Sequence, residues 1–234
     1  VTGLIAVDTA DHFTVFGRTV VALLIQIGGL GVTSVGVGFI LMAGKRIGLK
    51  GRKLVREAMN VDTSKGMVRL VKNVLLMTLC FEGAGAVLSF LVFIRDYPPL
   101  EALGISLFHS VAAFNNSGFD ILGGLQNMIP YQSNVLLNLT TSGLIIFGGL
   151  GFLVILDVLR SRSFKKLCLH SKIVIVMSIF LIAAGTLSLK ATENITWLGA
   201  FFQSVSARTA GFSSYPIGSF TDAGLFTLII LMFI

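Results

Sequence analysis

The sequence predicts an all-α membrane protein built from repeated units. Each unit is a span, a short re-entrant helix, an extended glycine-bearing segment and a second span. Three observations predict this. Of the 234 residues, 54% are hydrophobic and 12% are charged, whereas an ordinary soluble domain carries about 25% charged residues. The 26 glycines fit closely packed helices or irregular intramembrane backbone. Finally, a short polar stretch ending in small-Gly-bulky recurs between apolar runs: Thr2-Gly3-Leu4, Ser117-Gly118-Phe119 and Ala210-Gly211-Phe212.

A span needs about 20 apolar residues, and the runs follow in order. Residues 13–43 are apolar and glycine-rich, and 44–66 are basic. Met67 to Ile94 forms the next span, ended by Arg95-Asp96-Tyr97-Pro98-Pro99, because paired prolines cannot continue a helix. Leu100 to Phe114 is apolar but short for a crossing, and FNNSGFD follows it. Residues 133–159 read as one full span, and 160–172 are basic. Residues 173–189 form a further span. Trp197 to Ala207 is a second short apolar piece, followed by RTAGFSS, and Phe220 opens a last span.

The pattern is therefore an internal repeat. LFHSVAAFNNSGFD aligns with FFQSVSARTAGFSS if one residue is inserted. Gly28-Gly29-Leu30-Gly31 matches Gly148-Gly149-Leu150-Gly151, 25 and 30 residues after Gly3 and Gly118. This divides the chain into 1–60, 61–170 and 171–234: the end of one unit, a whole unit, and most of a third. The chain opens V-T-G-L and stops within LFTLIILMFI, and it reads as a piece of a longer protein.

Charge sets the expected sidedness. Residues 44–72 and 157–172 hold 14 of the 18 Lys and Arg, which places both loops in the cytoplasm. The glycine segments then face the outside. Irregular backbone at membrane depth is tolerated only inside protein or along a water-filled path. A short helix returning as extended backbone meets that condition at a pore, where carbonyl oxygens can replace the water around a cation. Glycine permits the required angles, and no acidic side chain occurs within 1–4, 115–119 or 209–212.

The FNNSGFD and SARTAGFSS segments, the VTGL start, the two GGLG spans and the basic GKRIGLKGRKLVREAMN loop together resemble the membrane subunit of the Trk/Ktr/HKT superfamily of potassium transporters, nearest to the bacterial Ktr type. The resemblance covers essentially the whole chain. It implies span–pore-helix–filter–span units arranged as in potassium channels and potassium uptake across the cell membrane. K+ is the transported ion, and no cofactor is implied in this chain.

On this resemblance Gly3, Gly118 and Gly211 are filter glycines. Val1, Thr2, Leu4, Asn116, Ser117, Phe119, Thr209, Ala210 and Phe212 flank them, with Arg208 and Asn115 as filter support. Glycine rather than serine at position 3 argues for potassium over sodium. The resemblance places the family's gate just beyond Ile234. It further implies a homodimer, and a ring of cytoplasmic nucleotide-binding regulatory subunits docked on loops 44–66 and 160–172. No nucleic-acid partner is implied.

The remaining polar residues read as structural. Glu82, in LCFEGAGA, is expected to bond across a tight helix contact. His109 packs the short helix, and His12 and His170 lie on the surface. Cys80 and Cys168 form no disulfide framework. No H-E-x-x-H motif, nucleophile elbow or phosphate loop occurs, so no enzyme is expected. Two other classes compete with a pore. A coupled secondary transporter with broken helices predicts inverted copies, whereas these copies run in the same sense. A membrane scaffold leaves the glycine segments unexplained.

Overall fold

The computed structural model describes residues 7–31 and 67–233, and among these every regular element is helical. Val1, Thr2, Gly3, Leu4 and the basic loop 44–66 lie outside the described residues. Helices α1 (Thr9–His12) and α2 (Val15–Leu30) come first, followed by α3 (Met67–Phe93) and α4 (Pro99–Phe114). Then come α5 (Val135–Leu150), α6 (Phe152–Ser161), α7 (Leu169–Thr192), α8 (Trp197–Thr209) and α9 (Asp222–Phe233).

Local chemistry sets these limits. Thr14, Asn134 and Thr196 cap α2, α5 and α8 with side-chain oxygens that accept from the amides of Gly17, Leu137 and Gly199. Pro99 stands in the first turn of α4, where its missing N–H is harmless. Gly31 and Gly151 end α2 and α5 in almost the same conformation, φ 79° ψ 135° and φ 84° ψ 143°. The last glycine of each GGLG is therefore a helix stop, since few other residues adopt that φ cheaply.

That stop breaks the helix within the expected span. Residues 133–159 are not one continuous helix: α5 and α6 meet at Gly151 with a bend of 96°. Of the described helices, α3 and α7 are long and apolar enough to cross a bilayer, and the bent α5–α6 pair passes the same test only when taken together. The shorter α2, α4 and α9 are apolar.

Polarity is arranged as a bilayer demands. Leu76, Leu79, Val87 and Leu91 of α3 are exposed, as are Ile173, Val176, Ile179 and Phe180 of α7. The interior instead holds Thr78, Ser89, Ser106, Ser110, Thr141, Ser142, Ser204 and Ser206. Small and hydroxylated residues suit helix contacts in lipid.

The repeat is visible in the packing. A Cβ on Gly85 of α3 would meet Ser110 Oγ of α4 and the Leu144 methyls of α5. A Cβ on Gly185 of α7 would meet Ser204 Oγ of α8 and the Leu231 methyls of α9. Ser110 donates to the Glu82 carbonyl at 2.6 Å, and Ser204 donates to the Ile182 carbonyl at 3.0 Å. Two helix triplets thus repeat the same contact, in the same chain order.

Candidate functional site

The helices α4 and α8 deliver their C-terminal ends to one place. The last turn of an α-helix carries the negative end of its dipole, so both ends favour a cation there. Each helix gives way to a turn and then a glycine at positive φ, Gly118 at 74° and Gly211 at 82°. The two segments touch: a Cβ on Gly118 would strike the Ala210 carbonyl oxygen and lie 3.2 Å from the Gly211 carbonyl carbon. No side chain larger than hydrogen fits between them without displacing backbone.

Each segment is held from behind. The Ser117 amide and hydroxyl both donate to the Ala112 carbonyl, at 2.9 and 3.1 Å. The amides of Ala210 and Gly211 donate to the Ser206 carbonyl at 2.9 and 3.1 Å. Phe212 is buried edge-on to His109, with ring centroids 5.3 Å apart, so the second segment rests on the helix that carries the first. His109 is the packing residue expected: its Nε2 donates to Thr141 Oγ1 at 2.8 Å, since that hydroxyl itself donates to Leu137. His12 and His170 are exposed.

Asn115 and Asn116 turn away from the glycines. Asn115 Nδ2 donates to Gln26 Oε1 at 3.0 Å, Glu82 Oε1 at 3.0 Å and the Val111 carbonyl at 2.8 Å. Gln26 Nε2 completes the triad by donating to Glu82 Oε2 at 3.2 Å. Glu82 is thus bonded across a helix contact, as its small neighbours suggest. With its amide turned so that the nitrogen faces the acceptors and the oxygen the donor, Asn116, at φ 51°, donates to the carbonyls of Ala113 and Ile145 and accepts from the Gly149 amide at 3.2 Å. Phe119 is half-buried.

Helix α8 runs past the apolar stretch 197–207. Thr209 is the last residue of α8, and Ala210 keeps near-helical angles, φ −107° ψ −41°. Non-helical backbone therefore begins at Gly211, at φ 82°. Arg208 points back toward α7 and donates to Ser178 Oγ at 3.4 Å, the contact of a residue tethering the helix end.

Two participants carry no signal in the sequence. Gln26 is one polar residue inside an apolar run. Asn127 lies in the loop after Phe119, yet its side chain reaches the Gly118 carbonyl.

The same loop is also tied to Asp8 and Asp11. Asp8 Oδ2 accepts from the Leu125 amide, and Asp11 Oδ2 accepts from the Gly124 amide at 3.2 Å. Burial alone would raise Asp8, but the amides of Leu125, Ala10 and Asp11, with Arg18 nearby, outweigh it and hold the carboxyl below the usual range. A depressed carboxylate stabilises the fold above its unfolded pKa and loses that contribution as pH falls through the folded one. Protection of the Leu125 amide against hydrogen exchange, relative to its intrinsic rate, will therefore fall below about pH 4, and an Asp8→Asn variant will show no such step. An acid step that survives in the variant would remove Asp8 as its cause.

The cation transport protein family model TrkH matches residues 1–182 and 169–234. This chain belongs to the TrkH family. It is 39% identical to the Ktr system potassium uptake protein B of Bacillus subtilis, over all of this chain and 55% of that protein. It is 35% identical to the potassium/sodium uptake protein NtpJ of Enterococcus hirae, again over all of this chain and 54% of that protein. The crystal structure of the potassium transporter TrkH from Vibrio parahaemolyticus superposes with a TM-score of 0.68 at 17% identity, covering 99% of this chain and 46% of that one. That likeness gives this TrkH-family chain its fold: an all-helical, multi-pass membrane protein. The chain spans about half the length of the curated relatives it matches.

Proposed function

We propose that this TrkH-family chain forms part of a potassium uptake pore, with 115–119 and 209–212 as two of its filter segments. The observation that carries this reading is the contact of Gly118 with Ala210 and Gly211, where the C-terminal ends of two short helices converge. Non-helical backbone at such a point offers carbonyl oxygens to a dehydrated cation, and the helix ends add favourable potential. Val1, Thr2, Gly3 and Leu4 supply the corresponding segment of the preceding unit. The units are then 1–60, 61–170 and 171–234, and the same-sense packing of the two helix triplets favours a pore over inverted transporter halves.

Relatives named for potassium uptake, and one for potassium/sodium uptake, support this substrate class. K+ is the transported ion, moving down the membrane potential without chemistry in this chain. A Ktr-type membrane subunit works within a system. Its partners here are a second copy of the chain and a ring of cytoplasmic nucleotide-binding subunits, docked on 44–66 and 160–172. The second loop exposes Arg160, Arg162, Lys165 and Lys166.

The test is Gly118→Ser in the full-length parent, expressed in a bacterium lacking its own potassium uptake. Uptake of K+ and Na+ is measured at matched membrane amounts. The hydroxymethyl group meets the Ala210 carbonyl and sits at a φ that L-residues resist. The apparent affinity for K+ and the K+/Na+ ratio are each expected to fall by about tenfold or more, the effect of about 1.4 kcal/mol at one site. Unchanged transport of both ions would make FNNSGFD an outer loop and overturn the pore.

A further inference from the structure

The stretch 120–128 between the two segments is unusual backbone. Gly123, Gly124, Leu125 and Asn127 all have positive φ, from 51° to 89°. Non-glycine residues in that region are uncommon, and strain of this kind collects at functional sites. Asp120, Ile121 and Met128 are buried. Its exposed middle is bonded to Asp8 and Asp11 and its far end to Ser213, so it works as a strap pinned at both places.

Asn127 is where the strap meets both segments. Its Nδ2 donates to the Gly118 carbonyl at 3.2 Å and to Asp120 Oδ2 at 2.9 Å. Its Oδ1 accepts from the amides of Met128 and Ser213, both at 3.0 Å. The nitrogen faces two acceptors and the oxygen two donors, which fixes the amide's orientation. The Met128 amide adds a bond to the Ser213 carbonyl at 3.0 Å. One side chain therefore bonds the glycine of the first segment and the residue two past the glycine of the second. Asparagine suits this point twice, since it tolerates left-handed φ and offers both a donor and an acceptor.

We infer that Asn127 is a selectivity-positioning residue, which fixes the spacing of the two filter segments and the direction of the Gly118 carbonyl. This rests on the pore reading above. A carbonyl has two lone pairs, and one bond from behind still leaves the other free while stopping the peptide plane from swinging. A filter that distinguishes K+ from Na+ needs that restraint, because the smaller ion is favoured when carbonyls can close in on it.

The experiment measures K+ and Na+ uptake kinetics of the full-length parent, comparing Asn127→Gly, Asn127→Asp and Gly118→Ser, with membrane amounts recorded. Asn127→Gly keeps the left-handed backbone and removes only the side chain. It is expected to lower the K+/Na+ ratio about tenfold, the order of one to two lost hydrogen bonds, with maximal rate and protein amount near wild type. Asn127→Asp sets a carboxylate against the Gly118 carbonyl and Asp120, and is expected to lower the ratio at least as far. A normal ratio in Asn127→Gly beside an altered one in Gly118→Ser overturns the assignment and leaves the pore intact. Normal ratios in Asn127→Gly and Gly118→Ser alike overturn both. Failure of both Asn127 variants to reach the membrane makes the residue a folding element and also overturns the assignment.

Discussion

Gly148→Ala will severely destabilise the protein, while Gly143→Ala on the same helix will not. A Cβ on Gly148 would overlap the Phe114 carbonyl oxygen and lie 2.9 Å from its carbon. Phe114 is the last residue of α4 and is buried at 2% exposure. The collision is thus between two pieces of helical backbone, neither of which has a rotamer to change. Separating α5 from α4 by even an ångström loosens the Asn116 bonds to Ile145 and Gly149 and opens the core around Phe114. Overpacking of this kind costs about 3 kcal/mol or more. At Gly143 nothing lies within 4 Å of the added methyl, and alanine in a helix is favoured over glycine by about 1 kcal/mol. Melting temperatures of the two variants in detergent should therefore move in opposite directions. Equal melting temperatures would mean that α5 does not approach α4 as closely as the contact requires.

The GGLG repeat shows which parts of this architecture could be read from sequence. Its recurrence marks two equivalent spans, and both copies end their helices with the same backbone angles. The purpose of its members was hidden. Gly148 and Gly29 make room for Phe114 and Asn115, residues remote in sequence, and no local pattern reports that closeness. Hydropathy likewise read 133–159 as one span because it measures composition, whereas the break at Gly151 is a dihedral event that leaves composition unchanged. The glycines of the two candidate filter segments were legible because positive φ selects glycine. The end of helix α8 was not, since the helix persists through Thr209 beyond the apolar run, and helix ends are weakly marked by propensity. Asn127 and Gln26 were invisible for a different reason. A single amide in a loop or an apolar run has no periodicity, and only the partners it reaches in three dimensions give it meaning.

The triad of Gln26, Glu82 and Asn115 leads to the second large effect. It joins α2, α3 and α4, and so holds helices on both sides of the 44–66 loop to the back of the first glycine segment. Glu82 is 7% exposed, and its two carboxyl oxygens accept from two different amides. Truncation by Glu82→Ala leaves Gln26 Nε2 without its acceptor and opens a cavity beside Asn115. An orphaned buried donor and a lost side chain together cost about 2–4 kcal/mol. Glu82→Gln keeps the volume but must turn one donor toward another, and is expected to lose about 1 kcal/mol. Gln26→Leu removes the orphan, so the double variant Gln26→Leu, Glu82→Ala should lose less than the sum of the single changes, with a coupling of about 1 kcal/mol. Because the triad lies behind the segment, the K+/Na+ ratio of whatever protein reaches the membrane should stay near wild type while the melting temperature falls. A changed ratio at an unchanged melting temperature would move Glu82 from scaffold to ion path. Strict additivity in the cycle would show that the three side chains do not act as a unit.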